Sequence, residues 1–163
     1  MTGNPASPAD WWKTVDLAEM RGAEHAINTA LRAASALSAD DCTRLARALA
    51  IHRLCFPDGA AQQDCIDAVS RMTQQARACM AASPPQWGAA LQAQRGGENI
   101  AEALGRALEL ARVKPGTRAH AHVEACRLTM TVLAGEMRTF ALGMPVVAKA
   151  MPRIRFKPGG GKV

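Results

Sequence analysis

Two side chains on one helix can share a metal ion when they stand three or four residues apart, and His122 and Cys126 have that spacing. His120 points to another side of the same helix. His52 and Cys55 form a second such pair. No local spacing gathers four ligands into a closed tetrahedral set, so neither a metal nor a cofactor is expected. Glu24-His25 and Asp64-Cys65-Ile66-Asp67 bring acids beside a base and a thiol, but neighbouring helix residues diverge and neither group converges. They read as solvated surface, and no enzymatic activity is expected. Gly159-Gly160-Gly161-Lys162 has the composition of a phosphate loop but lacks the following Ser or Thr and helix, so it reads as a flexible tail. Trp11-Trp12 reads as an anchor of the first helix, with Trp12 inward. Arg44, Arg47 and Arg53 sit near Asp40 and Asp41, which makes a mixed solvated face.

The five cysteines, at 42, 55, 65, 79 and 126, contain no Cys-x-x-Cys. Pro57-Asp58-Gly59 marks a turn centred near residue 60. Cys55 and Cys65 lie five residues either side of that centre, and Cys42 and Cys79 lie 18 and 19 residues away. In an antiparallel hairpin, equidistant residues face each other. Two readings follow: nested bridges, each stabilising by about 2–4 kcal/mol, or five free thiols used as small apolar core residues. Residues 42–79 resemble the twin-cysteine hairpin of the coiled-coil-helix-coiled-coil-helix (CHCH) proteins. The spacing differs: 12 and 13 residues separate the cysteines of each helix here, against nine in that family. The resemblance implies Cys42–Cys79 and Cys55–Cys65 bridges and import into the mitochondrial intermembrane space. It also implies a role as an accessory subunit or assembly factor of a respiratory-chain or inner-membrane complex.

The elements that would hold these residues are helical throughout. Apolar residues recur every three or four positions, and no period-two segment precedes residue 143. A first helix is expected over residues 8–37, capped by Ser7 with Pro8 in its first turn. Ser38-Ala39-Asp40-Asp41 resembles a capping box opening a second helix over 39–56. A third follows over 60–82 and ends at Ser83-Pro84-Pro85. A short helix carrying Trp87 and Leu91 is then broken by Gly96-Gly97, with further helices over 98–113 and 117–142. The expected fold is all-α: five to six antiparallel helices spanning residues 1–142, with a non-helical arm over 143–163.

Composition supports that reading and limits the function. Alanine occurs 34 times and tyrosine not at all. Alanine favours helix because it loses no side-chain entropy. No apolar run approaches the ~20 residues that span a bilayer. MTGNPASPADWW has no basic segment followed by an apolar core, so no secretory leader is expected. Of 20 Lys and Arg, five (Lys149, Arg153, Arg155, Lys157 and Lys162) fall after residue 142, where no acid occurs. The positive charge therefore belongs to the arm, where Pro145, Pro152 and Pro158 forbid a continuous helix. If extended, Ile154 and Phe156 share one side and Arg153, Arg155 and Lys157 the other. Such a strip buries two anchors and presents three charges to a protein groove, an acidic surface, lipid head groups or nucleic acid. Two functions are expected. One is a non-catalytic accessory subunit held in a larger assembly by its arm. The other is a bacterial or phage cytoplasmic adaptor whose arm touches nucleic acid.

Overall fold

The computed structural model describes residues 15–56 and 59–144, and these are all-helical, with five α-helices and no strand. In order they are α1 (Leu17–Arg32), a 3-10 turn (Ala34–Ala36), α2 (Ala39–Cys55), α3 (Ala60–Ala81), α4 (Trp87–Leu110) and α5 (Arg118–Gly143). Packing divides the chain into two units, Met1–Thr131 and Val132–Val163, and the division falls within α5.

Most helix limits follow the local signals. The Ser38 side chain accepts the Asp41 N–H at 3.1 Å, while Asp41 Oδ2 accepts the Ser38 N–H at 3.1 Å, which completes the capping box of α2. The α1 start is a correction. Asp16, rather than Ser7, caps the described helix, its carboxylate accepting the Glu19 N–H at 2.8 Å. Ser7, Pro8, Trp11 and Trp12 lie outside the described residues. α1 also stops at Arg32, and the chain turns through Ala34–Ala36 before α2. At the far end of α4, Arg112 adopts φ 59°, and the Arg112 and Val113 amides return to the carbonyls of Glu109 and Leu108. That is a Schellman closure with arginine in the left-handed place usually held by glycine.

The larger correction concerns Gly96-Gly97. The expected break does not occur, and α4 runs unbroken from Trp87 to Leu110. Two interior glycines cost a helix roughly 1 kcal/mol each relative to alanine. Tertiary packing offsets that cost. α4 is the hub of the first unit: α2, α3 and the 3-10 turn all pack on it, whereas α2 and α3 meet each other only sparingly. Ile100 and Leu104 are almost completely removed from water, each worth about 1.5–3 kcal/mol. Gly96 allows the 3-10 turn to lie against the helix, because a Cβ there would stand 2.4 Å from the Ala34 carbonyl oxygen. Asn99 Nδ2 donates to the Leu37 carbonyl at 2.8 Å beside this contact. The first half of α5 packs on the same core, with Met130 over Gly97 and Val123, Cys126 and Met130 buried. In the second unit the described residues are the last turns of α5, where Leu133 and Met137 are buried and Leu142 is 84% exposed.

Candidate functional site

The cysteines are the first residues to place. All five are free, so neither the Cys42–Cys79 nor the Cys55–Cys65 bridge is formed. Burial separates the partners: Cys55 is exposed at the end of α2, whereas Cys65 is wholly inside. Cys42 turns to α4 instead, and its thiol donates to the Asn99 carbonyl at 3.1 Å. The hairpin symmetry fails because α2 and α3 use their apolar faces on α4 rather than on each other. Arg153, Ile154, Arg155, Phe156 and Lys157 lie outside the described residues, as does Gly159–Lys162.

The histidines divide. His120 Nε2 stands 2.9 Å from the Val113 carbonyl oxygen and so serves the loop before α5. His122 Nδ1 stands 3.4 Å from Gln62 Nε2 on α3. His122 and Cys126, as their spacing suggested, line one groove of about 150 Å3 with Ile66, Val69 and Ser70. Among the described residues, no three His, Cys, Asp or Glu side chains come together as a metal site would need. His52 lies against Phe56, with ring centroids 4.8 Å apart. Arg44 pairs with Asp41 at 3.1 Å and Arg47 with Glu19 at 2.9 Å, both exposed, as a solvated mixed face would.

One feature has no counterpart in any local spacing. An open cleft of about 470 Å3 lies where α2 ends and α3 and α5 begin. Arg53 comes to it from α2, Gln62 and Gln63 from α3, and Arg118 and His122 from α5. None of its described lining residues is acidic. The first turns of α3 and α5 both border it, and helix starts carry partial positive charge. Chemically the cleft suits a negative group, which guanidinium and imidazole N–H donors would hold. Its residues come from positions 53, 62 and 118, so only the tertiary fold brings them together.

Below the cleft, α3 and α5 bury two thiols. Burial pushes the Cys65 thiol up to about 12 and also raises Cys126. Burial likewise raises Cys42. Such thiols are poor nucleophiles at neutral pH, since the thiolate is the reactive form. No family model matches the chain, and no curated protein or solved structure matches it significantly.

Proposed function

We propose that this chain is a non-catalytic accessory subunit or adaptor of a larger assembly. In this reading, a body of antiparallel helices is held by an extended basic C-terminal arm. The observation that carries it is the exposure of large apolar side chains at Leu54, Phe56 and Leu128, which stand 48%, 52% and 64% open to solvent. A partner surface would cover them and recover their burial energy. The ionisable groups support the same reading. The Arg44–Asp41, Arg106–Glu102 and Arg127–Glu124 ion pairs are exposed surface contacts, and the polar cleft is lined by Arg53, Arg118 and His122 with no acid among its described residues. No helix among the described residues is long and apolar enough to cross a membrane, which fits a subunit docked by its arm on protein or on lipid head groups.

If the CHCH resemblance holds, that assembly is at the mitochondrial inner membrane. A second reading rests on the five Lys and Arg that follow residue 142 with no acid among them: a bacterial or phage adaptor whose basic arm contacts nucleic acid. Deleting residues 144–163 tests both. The truncated chain is expected to keep its helix content and to leave its native assembly on non-denaturing electrophoresis. Loss of helix, or an assembly that survives the deletion, overturns the arm's role. Binding to duplex DNA that falls steeply with added salt selects the nucleic-acid reading.

A further inference from the structure

The hydrogen bonds between α3 and the first half of α5 fix how the two helices are matched. Gln62 Nε2 donates to the Ala119 carbonyl at 3.3 Å and stands 3.4 Å from His122 Nδ1. Further on, Thr73 Oγ1 donates to Met130 Sδ at 3.7 Å. Both helices therefore advance in the same direction, at a constant offset of about 60 residues. One turn beyond the Gln62–His122 pair, α3 presents Cys65 and α5 presents Cys126. Both are buried, and Ile66 and Val69, the apolar neighbours of Cys65, line the groove that contains Cys126.

We propose that Cys65 and Cys126 are the disulfide-forming pair of this fold, joining α3 to α5 when the chain meets a low-molecular-weight disulfide such as oxidised glutathione. A negative charge on Cys126 would lift the Cys65 thiol further, which agrees with their proximity. The bridge forms in two exchanges. The thiolate of one cysteine attacks a sulfur of oxidised glutathione, forming a mixed disulfide and releasing one glutathione thiolate. The second cysteine, deprotonated, attacks the protein sulfur and releases the other glutathione. The two protein thiols lose two electrons and two protons, and one oxidised glutathione becomes two thiols. The raised thiols make this slow in the folded protein, so the bridge closes chiefly during folding or through local opening. The proposal is independent of any partner and of the accessory-subunit reading.

The test is to reduce and unfold the full chain, refold it in a glutathione redox buffer, alkylate it and map its peptides without reductant. The expected product links the Cys65 and Cys126 peptides and leaves three of the five thiols free. A variant with Cys42→Ala, Cys55→Ala and Cys79→Ala should still form the bridge and lose both thiols. Its Tm should fall on adding reductant, and Cys126→Ala should abolish that redox dependence. If the triple variant does not fold, the wild-type peptide map decides alone. Five free thiols after equilibration, or a link involving Cys42, Cys55 or Cys79, would overturn the proposal.

Discussion

Gly96 and Gly105 stand nine residues apart on α4, and both are buried, yet they face different neighbours. A Cβ on Gly96 would meet backbone, with the Ala34 carbonyl oxygen at 2.4 Å and its carbon at 2.8 Å. A Cβ on Gly105 would meet the end of a flexible side chain, Arg127 Nη2, at 2.1 Å. The shorter of these distances is the easier to relieve. The Arg127 guanidinium is held by an exposed pair with Glu124 at 2.8 Å and can swing into solvent. The Ala34 carbonyl cannot move without the 3-10 turn and the Leu37–Asn99 hydrogen bond moving with it. Closeness alone does not make a glycine indispensable; the stiffness of what it touches does.

Substitutions along α4 can break or sharpen this contrast. Gly96→Ala should be the most damaging, lowering unfolding free energy by about 3 kcal/mol in urea titration as the turn is displaced. A loss below about 1 kcal/mol would mean that the turn yields. Gly97→Ala should cost less, about 1–2 kcal/mol, because the obstacle is the Met130 side chain at 2.8 Å, and methionine adapts. Met130→Ala should cost less in that background than in the wild type, because the relieved clash offsets part of the lost packing. Asn99→Ala removes the donor to Leu37 and should cost about 1 kcal/mol at the rigid end. Gly105→Ala should be neutral, or stabilising by up to about 1 kcal/mol through helix propensity, and a large loss would show that Arg127 is fixed.

The smallest effect is electrostatic. The Asp41 carboxyl is held below its ordinary 3.8, first by the Ser38 amide hydrogen bond, then by the Ser38 hydroxyl and nearby Arg44. A lowered carboxyl pKa contributes stability that is present above 3.8 and is lost as the pH falls through the folded value. Asp41→Asn should flatten that acid limb slightly while leaving neutral-pH helix content unchanged by circular dichroism.

Much of the helical framework was legible. Ser38 with Asp41, Pro57-Asp58-Gly59 and Pro84-Pro85 are short-range signals, and α2, α3 and α5 fall close to the expected limits. The continuity of α4 was not legible, because the gain that overrides two glycines comes from Ala34 and Met130, some 60 and 30 residues away. The cysteine pairing failed for a related reason. Counting outward from a turn assumes that consecutive helices are each other's main neighbours, and α4 takes that place for both α2 and α3. At the groove, the i,i+4 spacing correctly brought His122 and Cys126 together. Nothing near either residue announced Arg53 or Gln62, which reach the cleft from other helices.

The glycine pair at the centre of α4 also bears on how the chain acquires its shape. A 24-residue segment with glycines in mid-helix nucleates poorly, so a peptide of residues 87–110 should be largely coil in water. Alongside its packing on α2 and α3, two contacts that support it join Ala34 to Gly96 and Leu37 to Asn99, and each closes a loop of about 60 residues. A helical protein usually folds quickly because its contacts are local. Here the central helix packs on its sequence neighbour α3 but also needs the distant turn, so refolding should be slower than for a bundle held by sequence-neighbour packing alone. Mutations at Ala34 or Asn99 should then slow folding more than they speed unfolding.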